Sequence, residues 1–264
     1  MKSKLKLIIW PVIYLVLIIN VCISFIFVFR SFYYRSIFVS GSSMEPTLNG
    51  NTADRVDYGL IDDHDYAIKN LKRFQILTTY YPFADSKDYV GGYSRDKVNV
   101  IDTNEASYKI KRVYGFPGET IKFVVDEEKA NIAKSFINPY CEEAQFYCKE
   151  AIQFEVKGPN ENDEFVRQSL KFKRKINPDK IMAYQNFEYH LEEEEYWVMG
   201  DNYSASSDCF NKKHPIYRDN IVGVLISIEG TCKIISNTEV DPTDDGTKIS
   251  YKCTKKKRHW PTYY

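Results

Sequence analysis

The sequence predicts a mainly β chain: one N-terminal transmembrane helix, then an antiparallel β-rich domain outside the cytosol that carries an inserted subdomain. Three observations predict it. Residues Leu7 to Phe29 form a run of 23 without a charge. Beyond it, segments rich in Tyr and Phe alternate apolar and polar positions, the period of a half-buried strand. Between roughly Asp126 and Tyr189 that alternation gives way to charged, mixed composition, and it resumes at Tyr196.

At about 1.5 Å per residue the apolar run crosses roughly 30 Å of hydrocarbon. Only Pro11, Asn20 and Ser24 interrupt it. Lys2, Lys4, Lys6 and the α-amino group precede it and Arg30 and Arg35 follow, a bias that places the N-terminus in the cytosol. A cleaved signal peptide shares the basic start, but its apolar region usually spans about 7 to 15 residues and ends at small residues. No Ala occurs before Ala53, and Val21 stands where a lipoprotein site at Cys22 needs a small residue. No later segment is apolar enough to return, so the chain from about residue 31 onward is expected outside the cytosol. The expected organisation is a cytosolic N-terminus (1–6), the helix (7–29), a first core part (30–125), the inserted subdomain (126–189), a second core part (190–240) and a polar basic tail (241–264).

Along the outer domain, Phe32 to Val39 reads as a strand running into the small-residue turn Ser40-Gly41-Ser42-Ser43, with Pro46 barring a helix interior. Arg73 to Tyr81 reads as a second strand, and Asp85 to Asp96 as a loop. Tyr108 to Gly115 alternates and stops at Phe116-Pro117-Gly118; Thr120 to Val125 resumes strand character, so the two are expected to form a hairpin. The inserted region holds the basic run Lys171 to Lys175. Strands are expected again at Tyr196 to Met199 and Ile221 to Ile228. The tail is read as solvated, although its Lys255 to Arg258 run, followed by Trp260, Tyr263 and Tyr264, also suits anionic lipid. Outside the span lie Cys141, Cys148, Cys209, Cys232 and Cys253; local Cys141–Cys148 and Cys232–Cys253 disulfides suit an extracytosolic domain. With 36 basic and 36 acidic residues the chain carries no net charge, which disfavours a nucleic-acid partner.

Two residues draw attention as chemistry. Ser43 lies in a turn of small residues whose backbone N–H groups are free to face a carbonyl oxygen, and a serine hydroxyl needs a neighbouring base to become a nucleophile. His64, His190, His214 and His259 stand in polar, unpatterned surroundings. Lys111 sits instead in an alternating strand with one face expected to be buried, where desolvation would depress its pKa and leave a free amine. By period 2, Lys109 shares that face, and spacing alone does not separate the two lysines.

The stretch Gly41-Ser42-Ser43-Met44-Glu45-Pro46-Thr47-Leu48 resembles the nucleophile box of bacterial type I signal peptidases. Ile110-Lys111-Arg112-Val113-Tyr114-Gly115-Phe116-Pro117-Gly118-Glu119 is similar to the family's general-base box. Val198-Met199-Gly200-Asp201-Asn202, followed by Ser206 and Asp208, resembles its closing Gly-Asp-Asn box. The three occur in family order behind one N-terminal span.

The resemblance implies a serine endopeptidase in which Ser43 is the nucleophile and Lys111 the base, acting through an acyl-enzyme with no metal or cofactor. Ser206 would position the lysine amine and Asp208 would tie Arg112 or the adjacent loop into the site. Gly200, Asp201 and Asn202 would shape the strand end, and Gly41 takes the position where some members place an oxyanion-donating serine. Ile37, Val39, Met44, Leu48 and Ile110 would line shallow pockets for the small residues at a signal-peptide cleavage site. Implied partners are the signal peptides of preproteins and the lipid bilayer, with the protein export machinery as a further candidate. The third box departs from the family where its final arginine is replaced by Phe210, and Leu71 to Leu77 matches the usual strand box only loosely. A self-cleaving repressor-type protease is disfavoured by the span and by the lack of a DNA-binding segment. The alternative is an inactive, membrane-anchored extracytosolic binding or structural protein of the same fold, whose best support is the altered third box.

Overall fold

The computed structural model describes residues 2–52, 55–80, 108–170, 176–236 and 249–259. The expected loop at Asp85 to Asp96, the basic run Lys171 to Lys175 and the terminal Trp260, Tyr263 and Tyr264 lie outside them. Helix α1 (Lys2–Tyr33) carries the apolar run with Pro11 inside it. Its described side chains run without a gap only from Trp10 to Ile26, and they are exposed. Among the described residues no helix is long and apolar enough to cross a membrane.

The remaining elements are β1 (Tyr34–Phe38), β2 (Gly50–Thr52), β3 (Arg55–Asp62), α2 (Asp65–Lys69), β4 (Ile76–Tyr80), β5 (Tyr108–Gly115), β6 (Thr120–Val125), α3 (Glu127–Ser135), α4 (Glu142–Ala151), β7 (Ile152–Lys157), β8 (Val166–Gln168), α5 (Pro178–Met182), β9 (Glu188–His190), β10 (Glu195–Met199), α6 (Cys209–Lys212), β11 (Ile216–Tyr217), β12 (Ile221–Ser236) and β13 (Ile249–His259). The mainly antiparallel β architecture is as expected. The larger sheet runs β1-β3-β12-β4-β5-β10-β11, with β2 added to β3 and β13 to β12; the smaller runs β8-β7-β6-β9. Strand β12 joins the larger sheet together, pairing with β4 over Ile221–Val224, with β3 over Val224–Lys233 and with β13 over Ile228–Ser236.

Several expectations are corrected. β5 and β6 have the expected ranges, but they are not a hairpin. β5 is flanked by β4 and β10, and β6 by β7 and β9, so the Phe116-Pro117-Gly118 turn carries the chain from one sheet into the other. Nor is only one face of β5 buried, because the second layer covers its other side: residues 110 to 115 are all buried. The first two expected strands are shorter than read, and β3 was not read at all. Segment 126–189 contains α3, α4, β7, β8, α5 and the start of β9, and the smaller sheet begins before it, at Thr120. The tail contains a strand that was not expected: the long edge of β12 takes up β13, and Cys232–Cys253 is a disulfide between paired positions. Cys141 and Cys148 remain free. Cys141 caps α4 and Cys148 sits two turns on, about 10 Å along the axis, beyond the roughly 7 Å that a disulfide spans between Cα atoms.

Buried side chains of both sheets share one cluster, in which Val113, Trp197 and Met199 of the larger sheet meet Phe123, Phe154 and Ile181. Phe210 belongs to it. Its ring stacks on Tyr184 at 3.8 Å between centroids and meets Tyr203 and Phe123 edge-on at 4.5 and 4.9 Å. The residue that departs from the family box is thus a core aromatic. Phe210→Ala is expected to lower stability by about 3–5 kcal/mol through the cavity it leaves, and Phe210→Arg to lose at least as much by placing a cation there; thermal melts of the solubilised chain measure both.

Candidate active site

The turn after β1 is pinned at both ends by Asp57 of β3. Its carbonyl accepts from Val39 N at 2.8 Å, and its carboxylate accepts from Asn49 N at 2.8 Å and Thr231 Oγ1 at 2.7 Å. Close approach explains Gly50, because a Cβ there would lie 1.8 Å from the Gly41 carbonyl oxygen. The turn presents Ser43. Among the described residues its N–H donates to nothing, which leaves it available to an oxyanion.

Lys111 lies in the middle of β5, opposite Leu77 of β4, and is 2% exposed. Its Nζ donates to Ser43 Oγ at 3.0 Å and to the Ile110 carbonyl at 3.1 Å. Burial pulls the amine down to a pKa of about 8, assisted by the nearby positive charge of Lys109 and opposed by the negative charge of Asp208. Lys109 itself is only half-buried. Packing thus distinguishes two lysines that spacing leaves equivalent.

The next residue has the opposite treatment. Arg112, 1% exposed, donates from Nε and Nη2 to the two oxygens of Asp201 at 2.8 and 2.6 Å, and from Nη1 to the Phe74 carbonyl at 2.8 Å. Burial would lower the guanidinium's pKa, but the bonds to Asp201 and its charge outweigh it and hold the value above the ordinary one. Met199 pairs with Arg112 across β10 and β5, so Asp201, two residues on, comes level with the guanidinium.

Of the two ties that the resemblance offers Asp208, Arg112 or the adjacent loop, its bonds are to the loop. Arg112 is tied by Asp201 rather than Asp208. Asp208 instead accepts from Gly200 N at 2.7 Å and caps α6 by accepting from Asn211 N at 3.1 Å. Among the described residues Ser206 Oγ is buried without a hydrogen-bond partner. It packs against Gly200, where an added Cβ would come within 2.4 Å of Ser206 Oγ and 2.5 Å of the Ser43 carbonyl oxygen. Asn202 donates from N to the Ser43 carbonyl at 2.9 Å and from Nδ2 to the Ser42 carbonyl at 2.8 Å.

Val39, Met44, Leu48 and Ile110 are buried in one apolar cluster with Ile61, Ile76, Leu225 and Ile228, and the half-buried Ile37 packs against it. Cys209 is free and buried, its Sγ accepting from Val198 N at 3.3 Å, with burial pushing the thiol pKa up. His64 bonds Asp62, His190 meets Thr120 and His214 meets the Pro215 carbonyl, all away from Ser43 in their contacts. Sequence reading missed Thr47, whose hydroxyl donates to Asp201 Oδ2, and Asp57.

Compared with known proteins, residues 11–228 match the family model for signal peptidase, peptidase S26. The chain belongs to this family. A similar member, signal peptidase I U of Bacillus subtilis (strain 168), is 25% identical over 223 residues, covering 84% of this chain and 86% of that one. Membership of the signal peptidase family makes the chain a peptidase of the kind that cleaves signal peptides. In this family member the three boxes come together around the contact between Ser43 and Lys111.

Asp201→Ala is expected to cost about 3–5 kcal/mol, because it leaves the Arg112 charge buried and uncompensated. Replacing Asp201 and Arg112 together by Leu and Met should cost less than Asp201→Ala alone, as read by the same denaturation experiment.

Proposed function

We propose that the chain is a membrane-anchored serine endopeptidase that removes signal peptides from exported preproteins through a Ser43/Lys111 dyad. The observation that carries this reading is the 3.0 Å contact between Lys111 Nζ and Ser43 Oγ, made by an amine that burial brings to a pKa of about 8. An amine near that value is neutral often enough to accept a proton and acidic enough to return it.

Ser43 Oγ attacks the scissile carbonyl while its proton passes to Lys111 Nζ. The Ser43 N–H, beside Gly41, faces the oxyanion. Collapse breaks the C–N bond, and the leaving amine of the mature protein takes the proton from Lys111, leaving the signal peptide as an ester on Ser43. A water then attacks the ester, giving its proton to Lys111, and the signal peptide departs as the acid while Ser43 recovers its proton. Each step uses this chain's own residues. The cluster of Ile37, Val39, Met44, Leu48 and Ile110 suits small apolar residues at the cleavage site.

Leu7 to Phe29 within α1 is the proposed anchor, with residues 1–6 cytosolic and the domain outside. An anchor beside the site raises the effective concentration of a substrate that is itself held in the bilayer. The bilayer and preprotein signal peptides are therefore the proposed partners, with the export machinery as a further one.

Ser43→Ala and Lys111→Met are each expected to abolish cleavage of a preprotein by the purified, detergent-solubilised chain; normal cleavage by either variant sinks the mechanism. A serine-directed acylating inhibitor should label Ser43, which an inactive relative of the same fold would not allow. Because the protonated amine cannot act as a base, kcat/KM should rise with pH through about 8. Lys109→Ala should keep cleaving with that midpoint moved upward, since one positive neighbour is gone.

The same shift has a stability consequence. The folded pKa of about 8 lies below the ordinary 10.5, so the fold bears the cost of a buried charged amine at every pH under about 8 and sheds it between 8 and 10.5. Lys111→Met should therefore melt higher than the parent at pH 7, with a gain that fades as pH approaches 10.5.

A further inference from the structure

With Ser43 and Lys111 read as nucleophile and base, Thr47 has no role in the chemistry, and yet it closes a ring around it. Ser43 and Thr47 are the ends of a five-residue turn segment. Thr47 Oγ1 donates to Asp201 Oδ2; both Asp201 oxygens accept from Arg112; Arg112 follows Lys111 on β5; and Lys111 Nζ returns to Ser43 Oγ at 3.0 Å. We infer that Thr47 is a positioning residue, whose hydroxyl bond to Asp201 sets where the Ser43 oxygen stands against the Lys111 amine. The inference rests on the dyad reading.

The geometry separates this bond from the others that hold the turn. Asn202 grips its start, through the Ser42 and Ser43 carbonyls. Met44 and Leu48 hold it by directionless packing, and Asn49, just beyond it, anchors it to Asp57 of β3 rather than to the strand of the lysine. The hydroxyl of Thr47 ties the far end, through Asp201 and Arg112, to the strand that bears the lysine. The tie also ends on a fixed point: Asp201 is fully buried and gripped in bidentate fashion by Arg112. Removing the hydroxyl leaves that ion pair intact, so the link is lost without stranding a charge.

The test uses the full chain in detergent, with a preprotein substrate, and compares Thr47→Val, Thr47→Ser and Ser43→Ala with the parent. Thr47→Val keeps the shape of the side chain and removes the donor. It should leave KM within about twofold and lower kcat by about tenfold to hundredfold, the scale expected when a reacting group is misplaced by a fraction of an ångström to one ångström. The pH midpoint near 8 should stay, because the burial of Lys111 is unchanged. Thr47→Ser should restore kcat to within a few fold. A parental kcat in Thr47→Val, beside a dead Ser43→Ala, overturns the positioning role alone. So does a midpoint that climbs toward 10.5, which would mean that the loss acts by letting water reach the lysine, and so does failure of serine to rescue. Cleavage surviving in Ser43→Ala overturns the dyad, and this role with it.

Discussion

Two cations stand side by side near the middle of one buried strand, and the rest of the site follows from how differently they are accommodated. Desolvation penalises both. Arg112 answers it with a carboxylate matched to its planar fork, and so remains charged and fixed. Lys111 gives its hydrogen bonds to two neutral oxygens, and the negative charge of Asp208 offsets only part of the penalty. One residue therefore serves as a rigid post and the next as a titratable amine. Strand geometry makes the division possible, since adjacent side chains point to opposite faces and each meets its own surroundings.

Local pattern carried part of the fold. β5 and β6 were legible with their full ranges because the alternation is clean and the Phe116-Pro117-Gly118 turn punctuates it. Their partners were not legible, because a strand's sequence says that it pairs and not with which edge. A tight turn between two strands usually means a hairpin, but here Gly115 packs under Leu191, Ile121 and Trp197, where the chain passes from one layer to the other. β3 was hidden by polar residues: Asp57 looks like a loop residue until the Asn49 and Thr231 contacts that use its carboxylate are known. β13 was hidden for the opposite reason. Its run of basic residues resembles a solvated tail, and only the unfilled edge of β12 explains its extended backbone.

The site was legible mainly through the likeness of three short boxes to a known family, and much less through the physics of each residue. Ser43 by itself is a turn serine, and Lys111 is one of two equivalent lysines. What could not be read was the wiring among the boxes. Asp201 and Asp208 are both acidic and seven residues apart, and the choice of Asp201 for Arg112 depends on the Met199 to Arg112 register. Phe210 looked like a lost arginine; in three dimensions it is a ring stacked in the core.

The bond between Cys232 and Cys253 has a consequence for chain continuity. It joins positions 21 residues apart on paired strands, so everything between them is a covalent ring. A peptidase lives with the hazard of cutting its own kind. A nick anywhere inside that ring would raise the number of chain ends without releasing a fragment, and β13 would stay tethered to the strand on which the larger sheet is assembled.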